Sequence, residues 1–165
     1  MPKVEMDMET TVEPEAVRGA LLDFTERRPE IWPGIEPSLY EVIRIGDTWA
    51  EIQEGSRMPG ARIWAKERYD WSTPGLITWT VQESNFCTPG SFVSAEIAAL
   101  PGGGSLIHVT WNRTPTTFIG RVAAFMIVAT RGRPVRASLE AGLKRVQQAQ
   151  AANADRAGSL RADQS

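Results

Sequence analysis

Three residues, Glu67, Tyr69 and Arg113, have side chains that could support acid–base chemistry. Glu67 and Tyr69 are two residues apart in a strand-like segment, so both side chains point to the same face. That face also carries Ile63 and Ala65, and a carboxyl group buried there must be paired or have a raised pKa. A raised pKa suits a general acid or base. A structural ion pair between Glu67 and Arg113 is the alternative interpretation.

Arg113 ends a later strand on the same face as Trp111. Its guanidinium could bind a carboxylate or polarise a carbonyl group, or it could hold the turn that follows. Tyr69 could donate a phenolic hydrogen bond to a ligand, or it could be a core tyrosine. Asn85 and Phe86 begin a loop and could contact an oxygenated ligand at an entrance, although asparagine is also common in turns.

Other reactive side chains indicate no second site. His108 is the only histidine and Cys87 the only cysteine, so neither a metal site nor an internal disulfide is expected. The glycines at 102–104 precede a strand rather than a helix, which indicates a hairpin turn and not a phosphate-binding loop. We therefore expect no metal and no cofactor.

The composition excludes several classes of protein. The chain has 165 residues and a net charge of −2, so it has no basic surplus for binding nucleic acid. Its first residues alternate acidic and apolar side chains, unlike a signal peptide, and we expect a cytoplasmic protein. The most apolar stretch, residues 118–130, is too short to span a bilayer and contains Arg121. Arg131, Arg133 and Arg136 could contact acidic lipid headgroups beside this stretch, but we favour a solvated patch around the helix break and do not expect membrane contact.

Strand-like segments occupy most of the first two thirds of the chain. Residues 3–12 alternate strictly, with Met6 and Met8 on the apolar face. A helix is predicted from Pro14, and a short second helix near 28–34. Turn residues then separate six further predicted strands, at 38–46, 48–54, 61–71, 75–84, 91–100 and 105–113. This regular spacing is typical of an antiparallel meander.

Residues 116 to about 152 form one long, largely apolar predicted helix. Pro134 should break it near residues 131–133, because proline removes a hydrogen bond and clashes one turn back. A lone helix cannot bury its apolar surface, so it must lie across the sheet. The fold class is therefore α+β, with one domain over residues 1–152 and a flexible tail over 153–165.

A sheet that wraps around one helix leaves a hollow between the two. Apolar side chains on the predicted inner faces would line this cavity: Met6, Met8, Trp79, Val81, Val93, Ile97, Val109, Trp111, Val122, Phe125 and Met126. Small alanines on these faces could instead admit a close-packed helix. The apolar stretch 118–129 could also cover the cavity mouth or face a second subunit in a homodimer.

The order of elements, together with Pro14-Glu-Ala-Val and Ile31-Trp-Pro-Gly, resembles the START/Bet v 1-like superfamily, also called SRPBCC. Four segments are most similar to its bacterial branch described as polyketide cyclase/dehydrase-like: 67–71, 81–86, 89–92 and 108–115. The resemblance covers residues 3–150. It implies a helix-grip fold, a seven-stranded antiparallel sheet around a long C-terminal helix, with two short helices after the first strand. It implies no universal catalytic motif.

Two functions follow from this interpretation. The chain could bind a hydrophobic small molecule, either lipid-like, polyketide-like or aromatic, in the internal cavity. Alternatively it could be a cyclase, aromatase or dehydratase in which Glu67 moves protons while Arg113 and Tyr69 stabilise enolate charge. An unpaired Glu67 pointing into the cavity would favour the enzyme. A third hypothesis is a dimerising accessory protein. We favour the first.

Overall fold

The structure, a computed structural model, describes residues 3–162, with side chains described as far as Ala157. Its secondary structure elements are β1 Lys3–Thr10, α1 Pro14–Leu21, α2 Arg28–Ile31, a 3₁₀ turn at Pro37–Leu39, β2 Glu41–Ile45, β3 Trp49–Met58, β4 Ala61–Asp70, β5 Leu76–Ser84, β6 Phe92–Ala99, β7 Ser105–Asn112, α3 Phe118–Ala129 and α4 Arg133–Ala162. The strands form one antiparallel sheet in the order β1-β7-β6-β5-β4-β3-β2. The predicted α+β architecture is confirmed.

Alternating burial in β1 and β7 shows how the sheet acquires its two faces. Val4, Met6 and Met8 are buried, while the acidic residues between them are exposed. β7 pairs with β1 from Lys3 opposite Asn112 to Thr10 opposite Ser105, and its own alternate residues are buried. Period-two patterning therefore directs one face of the sheet to the core and the other to solvent.

Two strand boundaries differ from the prediction by more than the others. The strand predicted at 38–46 begins only at Glu41, because Pro37 starts a 3₁₀ turn. Residues 55–58, which lie between the strands predicted at 48–54 and 61–71, belong to β3, and only the tight turn at Pro59 and Gly60 separates β3 from β4. Gly60 has φ +75°, which glycine adopts without a steric penalty.

A break separates α3 from α4 at Thr130–Gly132, as predicted from Pro134. Arg131 has φ +51° and Gly132 φ +78°, and the Gly132 amide donates to the Ile127 carbonyl oxygen at 2.7 Å. The Arg131 amide donates to the Val128 carbonyl oxygen at 3.0 Å, which completes a Schellman cap. Pro134 then lies in the first turn of α4, where a missing amide hydrogen costs nothing.

The C-terminal helix is longer than predicted. α4 continues to Ala162, so the segment predicted as a flexible tail, 153–165, is helical over 153–162. Residues 163–165 lie outside the described part of the chain. Residues 151–157 are small or polar and exposed, a composition that is compatible with a solvated helix end.

Gly142 sets the distance between α4 and Trp32. A β-carbon at this position would overlap the six-membered ring of Trp32, which is itself buried and lies beside the space under the helix. We expect Gly142→Ala to lower the free energy of unfolding by about 1–3 kcal/mol, as overpacking does. Chemical denaturation monitored by circular dichroism measures the change.

Gly19 provides the matched control for that substitution. It is an exposed residue inside α1 with open space around it, so Gly19→Ala should raise stability by about 0.5–1 kcal/mol. Equal effects of the two substitutions would show that Gly142 does not set the helix position.

Candidate functional site

A cavity of about 440 Å³ lies between the sheet and the two C-terminal helices. Helix α3 and the first turns of α4 form one wall, and strands β3 to β7 with Trp32 form the other. The apolar lining is given by Leu21, Trp32, Ile35, Met58, Ile63, Trp79, Phe86, Val93, Val109, Trp111, Ile119, Ala123, Ala124, Ile127, Val135 and Leu139. The volume falls within the range of small-molecule sites, which are mostly apolar.

The structure brings together several of the predicted ligand-binding residues. Trp79, Val93, Val109 and Trp111 lie on the sheet side of the cavity, and Phe86 lies at the loop after β5. The positions of the four strand residues agree with the strand parity from which they were predicted, and Phe86 was predicted from its place at the start of the loop.

Other predicted lining residues lie elsewhere. Met6 and Met8 are buried on the edge strand β1, where the Met6 side chain packs against the backbone at Gly132. Val81 is buried in a small cluster with Ala65 and Cys87. The burial of all three residues was predicted correctly. The break between α3 and α4, and not the cavity, packs against β1.

Ile97 and Asn85 are also outside the cavity lining. Ile97 lies in a separate groove with Trp71 and Pro74, beside α1. Asn85 is exposed and its side chain bridges two backbone groups of β4, accepting from the Trp64 amide at 2.9 Å and donating to the Arg62 carbonyl oxygen at 2.8 Å. The turn-forming role, left open by the sequence, is the one observed.

The predicted lining residues of α3 point the wrong way. Val122, Phe125 and Met126 lie on the exposed side of this helix, while Ile119, Ala123 and Ile127 face the cavity. Because α3 is apolar on nearly all sides, its sequence could not indicate which face turns inward.

Glu67 and Arg113 form a buried ion pair. Glu67 is 3% exposed, and Arg113 Nη2 donates to Glu67 Oε1 at 2.5 Å. Burial raises the pKa of the Glu67 carboxyl, and the attraction of Arg113 opposes this rise without cancelling it. Glu67 lines a side pocket of about 230 Å³, and Arg113 lines both this pocket and the main cavity.

A second buried ion pair, Arg28 with Glu54, was missed in the sequence. Arg28 is 3% exposed; its Nε donates to Glu54 Oε1, and its Nη2 donates to the Tyr69 hydroxyl at 2.9 Å. Its Nη1 donates to the carbonyl oxygens of Leu21 at 2.8 Å and Asp23 at 3.2 Å. Burial acts to lower the pKa of Arg28, but Glu54 and Tyr69 outweigh it and the pKa is raised.

Tyr69 connects this ion pair to the aromatic residues that line the cavity. Its hydroxyl donates to Glu54 Oε2 at 3.3 Å, and its ring stacks on Trp79 with 5.4 Å between the ring centroids. Burial raises the pKa of Tyr69 well above its ordinary value, so the phenol stays protonated as a donor. The alternation that places Ile52 on the inner face also places Glu54 there, a signal that could have found it.

Tyr40 provides a polar atom without a partner. Among the described residues its buried hydroxyl has no hydrogen bond, and burial raises the pKa of Tyr40 to about 12. The charges of Arg28 and Glu54 also act on this hydroxyl: Arg28 lowers the pKa of Tyr40 and Glu54 raises it. Groups of three or more histidine, cysteine or acidic residues suited to a metal do not occur in the described part of the chain.

The seven-stranded sheet, the C-terminal helix and the cavity between them define a helix-grip protein. The sequence profile of the family described as "Polyketide cyclase / dehydrase and lipid transport" matches residues 1–151, and the chain belongs to this family. The suspected resemblance is thereby confirmed. No curated protein sequence matches this chain.

Solved structures share the fold at low sequence identity. The protein TTHA0849 from Thermus thermophilus has a TM-score of 0.71 at 17% identity, over 90% of this chain and 99% of that one. The Zhui aromatase/cyclase from Streptomyces sp. R1128 has a TM-score of 0.71 at 15% identity, over 88% and 93% of the two chains. A START superfamily protein from Mycobacterium smegmatis has a TM-score of 0.70 at 15% identity, over 88% and 97%.

Proposed function

We propose that this chain binds a hydrophobic small molecule, lipid-like, polyketide-like or aromatic, in the cavity between the sheet and the C-terminal helices. The observation that carries the proposal is the cavity of about 440 Å³ with its aliphatic and aromatic lining. Burial of an apolar ligand against such a lining would provide most of the affinity. Tryptophan side chains at positions 32, 79 and 111 offer large apolar faces for this contact.

The buried polar groups would orient the ligand. Arg28 and Glu54 form one neutral pair and Arg113 and Glu67 another, so the cavity wall has charged groups but no net charge from these four. The oxygen of a neutral hydroxyl or carbonyl group on the ligand could accept a hydrogen bond from Arg113, which lines the cavity. An apolar body with one oxygenated end therefore suits the site best.

The alternative of a cyclase or dehydratase loses its main support. That hypothesis required an unpaired Glu67 pointing into the cavity, whereas Glu67 is engaged by Arg113 and lines the side pocket. A carboxylate held in a close ion pair is a poor proton carrier until the pair opens. We do not assign catalytic roles to Glu67, Arg113 or Tyr69. The cytoplasmic location and the homodimer stay predictions.

Filling the cavity should abolish binding. Ala123 lies on the inner side of α3 and is half-buried, so Ala123→Trp would place an indole ring in the ligand space. We expect the dissociation constant of the neutral fluorescent probe N-phenyl-1-naphthylamine to rise about tenfold or more. Fluorescence titration measures it, with circular dichroism to show that the fold is retained.

Ala129→Trp is the matched control, because Ala129 is an exposed residue of the same helix. It should leave probe affinity unchanged. Native mass spectrometry of the chain purified from its own host should show a retained molecule, which Ala123→Trp removes. If the wild-type chain neither retains a molecule nor binds the probe, the proposed function is wrong.

A further inference from the structure

Helix α3 has an apolar face that the rest of the protein leaves uncovered. Phe118 is 79% exposed and Phe125 70%, and Val122 and Met126 are about half exposed. These four residues follow the spacing i, i+4, i+7 and i+8, which places them on one side of a helix. We call them the α3 outer face.

The opposite side of α3 is already used. Ala123 and Ile127 face the cavity, Ala124 is buried, and Ile119 lines the cavity although it is about half exposed. A helix that is apolar on both sides is normally buried on both sides. A contiguous exposed apolar patch of this kind marks a contact with another protein or with a membrane.

The charges around the α3 outer face select between these partners. Arg121, Arg131 and Arg133 are exposed, and the described residues contain no salt bridge to any of them. The sequence from 114 to 139 contains no aspartate or glutamate. Two copies of this surface facing each other would bring arginine against arginine, which disfavours self-association.

Arg131 adds an independent observation. It occupies the left-handed position of the Schellman cap, with φ +51°, where glycine is strongly favoured. Arg131 therefore adopts a backbone conformation that is unfavourable for a residue with a β-carbon, and it does so next to the α3 outer face. Two of the three acidic residues of the neighbouring strand β1 already have partners: Glu5 pairs with Lys3 and Asp7 with His108.

We propose that the α3 outer face, with Arg121, Arg131 and Arg133 at its margin, docks on the surface of a bilayer that contains anionic lipid. Phenylalanine, valine and methionine would enter the acyl boundary, and the guanidinium groups would contact the phosphates. No helix among the described residues is long and apolar enough to cross a membrane, so the contact is interfacial. The sequence alone favours a solvated arginine patch over membrane contact, and it does not show which face of α3 is exposed.

Vesicle flotation of the full chain tests the docking surface. Vesicles of phosphatidylcholine with about one third phosphatidylglycerol should bind the chain, and pure phosphatidylcholine should bind it about tenfold more weakly. Phe118→Ser with Phe125→Ser should reduce binding to anionic vesicles about tenfold. Arg131→Gln with Arg133→Gln should also reduce it and should flatten its dependence on salt.

Two matched double variants serve as controls. Ile43→Ser with Ile45→Ser removes exposed apolar residues from the edge strand β2, and Lys144→Gln with Arg156→Gln removes exposed charges from α4. Both should bind vesicles like the wild type. Failure of the wild-type chain to bind anionic vesicles, or equal binding by the Phe118/Phe125 variant, would overturn the proposal. So would a dimer in sedimentation that dissociates in this variant. None of these outcomes bears on probe binding in the cavity.

Discussion

Replacing Arg28 with methionine is expected to lower the free energy of unfolding by about 3–5 kcal/mol, the cost of removing one partner from a buried ion pair. The change leaves the Glu54 carboxylate, 16% exposed, without its cation. It also leaves the carbonyl oxygens of Leu21 and Asp23 without the donors they have in the wild type. Each buried polar group left without a partner adds to the cost.

Arg27→Met is the matched control for Arg28→Met. Arg27 is the preceding residue, carries the same side chain, and makes only an exposed contact with Asp23 at 3.5 Å. Its replacement should change stability by less than about 0.5 kcal/mol. Urea denaturation of both variants provides the comparison. Similar losses in the two would mean that the buried network around Arg28 contributes little to stability.

Replacing Arg113 with methionine should have a comparable effect, but one that depends on pH. Glu67 is then a buried carboxyl without a cation, so its pKa, already raised by burial, must rise further. A group whose pKa is higher in the folded state favours folding when protonated and opposes it when charged. The loss should therefore be smallest below pH 4.5, the ordinary value for glutamate, and should grow to about 3–5 kcal/mol as the pH rises toward neutral.

Lys66 and Glu83 provide the control for this prediction, because they form an exposed ion pair at 2.9 Å between β4, the strand of Glu67, and β5. Lys66→Met should cost less than about 1 kcal/mol. The double variant with methionine at both 67 and 113 should recover much of the loss, since apolar replacement of a whole buried pair is often neutral. A loss in Arg113→Met that is independent of pH would contradict the assignment of the cost to charged Glu67.

Period-two patterning was sufficient to predict most of the sheet and the inner position of Glu67. It failed at one point in β5, where a bulge opposite Lys66 and Glu67 shifts the register. Strict alternation from Val81 would place Glu83 on the inner face, but the extra residue turns its side chain outward to Lys66. Bulges depend on pairing with a neighbouring strand, which a single segment does not specify.

Arg28 shows why part of the site could not be predicted. Arg27 and Arg28 are adjacent and chemically identical, and they belong to a short turn-rich segment without periodicity. Only the tertiary structure decides that one is in solvent and the other against Tyr69. The same holds for α3, whose apolar residues were all compatible with the cavity until the sheet determined which of them face it.

The pairing of β1 with β7 has a consequence for how the polypeptide is made. Thr10 pairs with Ser105 and Lys3 with Asn112, so β1 is translated before the other six strands of the sheet and acquires its neighbour only when β7, the last of them, has been made. During that interval its methionines are exposed to other nascent chains. The three acidic residues that alternate with the methionines give the unpaired β1 a negative charge. This charge disfavours pairing with other exposed strand edges until β7 is in place.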